Sequence, residues 1–331
     1  MKKALFGLFL VAFAALAQGE THGYLSFEYA KGQEKSEFAL GTFQNALLGF
    51  LHSGDITPTL SFVSEARFRQ EDRLEVEQVY LDVKASESFS IKLGLYLVPF
   101  GQYNPSNRPH QTMLIKSPLH VESLYPSSWR DIGVLIEGRW SGIFYSTYLG
   151  NGLIEGNYLN NGQQFADNNK DKGKGARAGV SLGRGLKAAF SYYSGKYDQG
   201  NERDLILKGV DLSWISEGFQ ILAEYAVADL ENPSSFSKGK AEGYFVQVSF
   251  NISGLYPVGS YQELTYRDPY HGQGFTDSGG SGIDEEKTRW TIGLVYFASP
   301  NVLFKLEYEL NRERDEEIKN NVLFIQMALH F

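Results

Sequence analysis

The chain has 331 residues, no cysteine, 35 glycines and 47 aromatic residues (20 Tyr, 23 Phe, 4 Trp), with a formal charge of −8. An aromatic share of 14% excludes an acidic disordered chain, and the acidic balance excludes a general nucleic-acid binder. The missing cysteines exclude disulfides, thiol nucleophiles and cysteine-ligated zinc. A mean hydropathy of −0.29 excludes a bundle of membrane helices, but not a transmembrane barrel, whose two faces average out.

In chain order, Lys2 and Lys3 precede an apolar stretch from Ala4 to Ala17 that ends Ala15-Leu16-Ala17 before polar Gln18-Gly19-Glu20. A basic start, a short apolar run and an A-x-A end describe a secretory signal peptide over 1–17. The run is too short to span a bilayer as a helix, which takes roughly 20 residues. The mature chain, 18–331, is expected to be one domain.

From there the apolar residues recur at every second position, the mark of strands with two different faces. In 289–297, Trp290, Ile292, Leu294 and Tyr296 alternate with Arg289, Thr291, Gly293 and Val295. In 302–310, Phe304, Leu306 and Tyr308 alternate with Leu303, Lys305, Glu307 and Glu309. This pattern predicts sixteen strands, near 22–30, 38–50, 58–69, 75–85, 88–97, 130–140, 142–150, 174–183, 185–196, 205–216, 218–229, 241–251, 255–267, 288–298, 301–311 and 321–331. The second and thirteenth alternate poorly. The connections sort into short ones at 51–57, 86–87, 141, 184, 217, 252–254 and 299–300, and longer ones between.

Such sorting, with an even strand count, predicts an all-β, antiparallel sixteen-stranded transmembrane barrel with short periplasmic turns and long external loops. Aromatics near strand ends (Trp140, Tyr148, Trp214, Phe219, Tyr256, Tyr266, Trp290, Phe297, Tyr308) fit interfacial girdles. The last strand alternates Leu323, Ile325, Met327 and Leu329 and ends on Phe331. In this it resembles Gram-negative outer-membrane barrels, which places the protein in the outer membrane among lipid and lipopolysaccharide.

The longest connection, 98–129, is the third long loop and contains five prolines and the apolar run Met113-Leu114-Ile115. A loop of this length is usually functional, and its prolines and apolar anchor favour order. From Ser88 to Val121 there is no Asp or Glu, while Lys92, Arg108 and Lys116 are present. In general porins, which this layout resembles, the third loop folds inward and narrows the pore. The segment 77–102 is also similar to the phosphate-selective porin O/P family, through Tyr80-Leu81-Asp82 and Val98-Pro99-Phe100-Gly101. That resemblance implies a trimeric porin for passive diffusion of small hydrophilic solutes or ions.

Within the clear registers the inward bases are Arg67, Arg69, Lys84, Lys92, Arg139, Arg177, Lys187, Arg289 and Lys305. The inward acids are Glu65, Asp82, Asp131, Glu137, Asp211, Glu224, Glu307 and Glu309. Seven of these bases, against four of the acids, lie in strands three to nine, and no dense arginine ladder is present. The expectation is a weak preference for anions such as phosphate-like oxyanions, with Arg67, Arg69, Lys92, Arg108 and Lys116 as candidate contacts at the constriction.

Of the six histidines only His110 and His120 share a segment, at a spacing that fits no standard zinc pattern, so no metal or cofactor is expected. The rival class is a barrel enzyme with a loop-borne site, for which His271, Asp268 and Ser278 form the best available set. A soluble secreted β protein is the third reading.

Overall fold

The computed structural model describes residues 19–70, 73–86, 88–156, 159–232, 238–268, 286–314 and 317–331, the side chains of 266–268 excepted. The proposed signal peptide therefore lies outside the described residues, as do His271 and Ser278.

Sixteen strands form one sheet. The first eight are β1 (Gly19–Gly32), β2 (Thr42–Thr57), β3 (Leu60–Arg69), β4 (Arg73–Ser86), β5 (Phe89–Leu97), β6 (Arg130–Trp140), β7 (Ile143–Gly150) and β8 (Gly173–Ser181). The others are β9 (Leu186–Lys196), β10 (Asp204–Ile215), β11 (Phe219–Leu230), β12 (Gly239–Phe250), β13 (Leu255–Asp268), β14 (Glu286–Ser299), β15 (Val302–Glu313) and β16 (Val322–His330). Each pairs antiparallel with its sequence neighbours, and β1 pairs with β16 from Tyr24↔His330 to Gly32↔Val322 to close the barrel. Gly23 and Phe331 seal the seam by exchanging backbone hydrogen bonds of 2.7 and 2.9 Å. Closure leaves no sheet edge, so the backbone of the spanning strands is satisfied without water.

The alternation read from the sequence is the alternation of the walls. Trp290, Ile292 and Tyr296 stand exposed on the outside of β14, whereas Arg289, Thr291 and Val295 are buried inside. On β15, Phe304, Leu306 and Tyr308 face out while Lys305, Glu307 and Glu309 face in, each of the latter at most 2% exposed. A lysine on the outer face at the midplane would cost about 2–4 kcal/mol, so the sorting is energetically enforced.

Two expectations change, and a third observation gains its cause. β2 extends to Thr57, through the segment 51–57 that reads as a turn, and residues 38–41 fall in the preceding loop. The polar run His52-Ser53-Gly54-Asp55 is held as strand by pairing on both sides, Thr21↔His52 toward β1 and Asp55↔Ser61 toward β3. Among the aromatics assigned to girdles, Tyr148 faces the lumen at 3% exposure, packed against Tyr96 in the inner cluster, and Tyr256 and Phe297 lie against a second one. Lastly, the weak alternation of β13 has a local cause. Its inward positions include Val258 and Leu264, which are buried against other side chains instead of facing water.

That inner packing is made by the third long loop. Val98, Phe100, Leu119, Val121, Leu124, Tyr125 and Trp129 from the loop form a core with wall residues such as Tyr193, Leu207, Ala228 and Leu264. Phe100, Tyr125 and Trp129 meet at ring separations of 5.2 to 5.8 Å, and Trp129 packs edge-on to Tyr193 at 4.9 Å. The barrel thus has an apolar outside for lipid and a hydrophobic core on part of its inside.

Candidate functional site: the lumen and the loop that crosses it

The base of the third loop is pinched shut by one side chain. Asn104 donates through Nδ2 to Val98 O (2.8 Å) and Trp129 O (3.0 Å) and accepts from Trp129 N through Oδ1 (2.8 Å). This brings together residues 25 positions apart and sets the direction in which the loop leaves the wall.

One side of the loop docks on β11. Glu224 accepts from Gln102 N (2.9 Å), Tyr103 N (3.3 Å), Tyr125 OH (2.8 Å) and His120 Nε2 (3.1 Å). Gly101 turns the chain here with φ +63°, and a Cβ at this position would lie 2.2 Å from Glu224 Oε1. Only glycine fits both the conformation and the space. Burial raises Tyr103 and Tyr125 above the ordinary tyrosine range, so both stay neutral and Tyr125 donates as a hydroxyl.

The opposite side docks on β3. Arg108 donates from Nε and Nη2 to the two oxygens of Glu65 at 2.8 and 2.6 Å, a bidentate fork. Glu65 also accepts from Tyr24 OH (2.7 Å) and Gln78 Nε2 (2.8 Å) and is 1% exposed. Burial works against the charge of Arg108, yet Glu65 outweighs it and holds the guanidinium above its ordinary value. Arg67 sits behind, 3.8 Å from Glu65 and 3.6 Å from Glu77, with its Nε donating to Tyr24 OH at 2.6 Å.

Glu77 reaches this cluster because of a bulge. Opposite Glu65 and Ala66, β4 places Gln78 and Val76, leaving Glu77 as the extra residue between them. Two residues against one re-aims a side chain. The completely buried Glu77 accepts from Ser128 Oγ (2.5 Å) and lies 3.4 Å from Arg130 Nη1.

Between these two docks the loop is tied to β13 and β15. Lys305 donates to Pro109 O (2.7 Å) and Thr112 Oγ1 (3.2 Å), and Glu307 accepts from the amides of Ile115 and Lys116. Gln262 accepts from Leu119 N at 2.9 Å, satisfying an amide at the start of the short helix α1 (Leu119–Leu124). The apolar run Met113-Leu114-Ile115 is the anchor its composition suggests: Leu114 packs with Val258, Val295 and Leu303, and Ile115 against the cluster of Ala30, Val322 and Phe324.

The five candidate anion contacts separate on this geometry. Arg67, Arg69 and Lys116 line one chamber of the lumen together with Glu28, Asn45 and Ser117. All three are compensated: Arg69 pairs with Glu75 at 2.8 Å and Lys116 with Glu122 at 3.9 Å. Arg108 is committed to Glu65, and Lys92 is paired with Glu137, its ammonium 5.1 Å from the Tyr80 ring. The cations of the acid-free stretch therefore have carboxylate partners, on the wall for Lys92 and Arg108 and in the loop's own helix for Lys116. Glu28, Glu75, Glu77 and Glu122 complete this network and are absent from the sequence-based set of inward acids. A signal for two of them existed, because Glu75 and Glu77 share parity with outward Val79 and Leu81, a conflict that only a bulge resolves.

Two chambers lie in the lumen against the loop among the described residues. The one on the β1–β3 and β16 side has a volume of about 310 Å³ and a largely polar lining. The other lies toward the short turns against β6–β12, with a volume of about 660 Å³, and includes Arg139, Phe144, Arg177, Lys187 and Phe245. Thr112 lines both. Elsewhere in the loop the His110 ring lies between Tyr24 and His330, tilted to each and 5.1 Å from both. Burial, then the neighbouring His330, Arg108 and Lys305, push the His110 imidazole down to about 4.

A closed sixteen-stranded barrel with a lipid-compatible exterior, charged interior and inward third loop defines an outer-membrane channel protein. The model of the Gram-negative porin family matches residues 4–316, and the chain belongs to that family. The chain is 24% identical to an uncharacterized protein of Aquifex aeolicus, over 91% of this chain and 77% of that one. The fold is similar to an anion-selective porin from Comamonas acidovorans (11% identity, 95% of this chain and 100% of that one, TM-score 0.69). It is also similar to Salmonella typhi OmpF in complex with daunomycin (16%, 95% and 98%, TM-score 0.67) and to the trimer form of Vibrio cholerae OmpT (12%, 95% and 99%, TM-score 0.67).

Proposed function

We propose that this porin is a non-enzymatic, homotrimeric channel for passive diffusion of small hydrophilic solutes, with a weak preference for anions, phosphate-like oxyanions among them. The observation that carries the reading is the pair of lumen chambers against the third loop, both lined by Thr112. Solutes are sorted by size at the loop and biased by the residual field of the walls. Of the five candidate contacts, Arg69 and Lys116 are the ones that meet a passing anion, since they line a chamber and are only partly buried. Arg67 and Arg108 hold the loop, and Lys92, paired with Glu137 on the wall, shapes the field. Trimers are supported by the trimeric relative in the same fold class. Lipid and lipopolysaccharide contact the outer face.

The test is planar-bilayer recording in a KCl gradient. Steady ohmic steps with a reversal potential on the anion side are expected, and Arg69→Gln with Lys116→Gln should move that potential toward cations. Cation preference indifferent to both substitutions defeats the anion reading; absence of ohmic steps defeats the channel. Unheated gel migration at three times the monomer mass, lost on heating, tests the trimer.

A further inference from the structure

Nearly every inward base is neutralised, and the exceptions share one chamber. Arg67, Arg69, Lys84, Lys92, Arg177 and Arg289 each have a carboxylate within 4 Å, and Lys305 is spent on loop carbonyls. Arg139 and Lys187 have no ion pair or side-chain hydrogen bond among the described residues, and both open into the chamber near the short turns. Arg177 on the same wall is held by Asp211 at 2.7 Å. Three bases against one acid leave this chamber positive, whereas each of the three bases lining the first has a carboxylate partner.

The chamber also differs in its apolar content. Phe144 points inward between the bases, with its ring in the space that a side chain at Gly179 would need, 2.4 Å from the ideal Cβ. The Arg177 guanidinium lies 5.4 Å from the centre of that ring. Register places Arg139 directly across from Phe144, Phe144 from Gly179, and Ser181 from Lys187, so one patch of wall holds ring and cations together. Met113 and Leu114 of the third loop, with Phe245, form the facing side. Inorganic anions use only the cationic half of such a surface, while a carboxylate on a flat apolar body uses both halves of it.

We infer that the chamber near the short turns is a binding site for small aromatic carboxylates, the carboxylate held by Arg139 and Lys187 and the ring laid against Phe144. This rests on the channel reading and names a class of solute within it. The site delays such anions on their way through, because they bind where chloride only passes.

Benzoate is the probe, added on the periplasmic side of the full-length channel carrying KCl current. Concentration-dependent interruptions of the current are expected, with benzyl alcohol and inorganic phosphate much weaker at equal concentration. Arg139→Gln with Lys187→Gln should raise the half-blocking concentration about tenfold or more, and Phe144→Ala several-fold. Block that ignores these substitutions, or phosphate block equal to that of benzoate, overturns the inference. Calorimetric titration of benzoate into the detergent-solubilised barrel makes the two readings separable. Binding lost in the double variant upholds the site even in a barrel without conductance, and no binding to the unaltered protein refutes the site even in a conducting one.

Discussion

Replacing Glu65 by glutamine changes one oxygen and removes one charge from the point where the third loop meets β3. In the native barrel this carboxylate takes two bonds from Arg108, at 2.8 and 2.6 Å, and one each from Tyr24 and Gln78. A carboxamide retains one acceptor and turns an NH2 toward donors. Two charge-assisted bonds at about 1.5–3 kcal/mol each are then weakened or lost. Arg67 keeps Glu77 at 3.6 Å, so a single guanidinium is orphaned, and the cost is about 3–5 kcal/mol for breaking a buried pair. Since Glu224, Lys305 and Glu307 still hold the remainder, the loss falls on local opening of the loop, raising its open population about a thousandfold. Single-channel recording should show larger and noisier steps, and limited proteolysis should cut near 105–111. Arg108→Gln frees the same contact with the opposite charge change. Both variants should therefore be noisy, while selectivity shifts toward anions for Glu65→Gln and toward cations for Arg108→Gln. Quiet, native-sized steps in both variants would refute the staple.

Gly101→Ala places a Cβ against Glu224 in a left-handed conformation costing about 1–2 kcal/mol before the clash is counted, and should reproduce the noise from the β11 side in the same recordings. Thr112→Trp fills the point shared by both chambers and should reduce unitary conductance by roughly half or more; an unchanged conductance places the path elsewhere. His110 favours its neutral form in the folded barrel, with a value of about 4 below the ordinary 6.5, so the closed loop loses stability as pH falls from 6.5 and the loss is complete below about 4. Open-channel noise should rise over that window, and His110→Gln, which cannot be protonated there, should flatten the dependence.

The barrel was legible in the sequence because a strand declares both faces by position alone. Strand count, closure and the inward set on β14 and β15 all follow from parity. What parity omits is what meets an inward side chain across the lumen. Arg108 and Glu65 are 43 positions apart and Glu224 is 122 from Gln102, so nothing local marks either contact. The acid-free stretch 88–121 therefore reads as an electropositive lining, although Lys92 and Arg108 meet carboxylates on the wall and Lys116 meets Glu122 of the same loop. Apolar inward residues such as Leu207 and Leu264 weaken alternation for the same reason, since their partners arrive from a distant loop. Arg139 and Lys187 were identifiable as inward, but their lack of partners shows only when the other bases have been matched.

Glu65 lies on β3 and Glu224 on β11, eight strands apart in a ring of sixteen. The loop that joins them runs along a diameter. A thin-walled tube resists stretching far better than it resists flattening, and a member fixed at opposite points stiffens the soft direction. In this barrel the element that narrows the passage is also a cross-brace, so the aperture and the roundness of the wall are set by the same few carboxylates. Lateral pressure from the surrounding membrane would then reach the passage through those two points first.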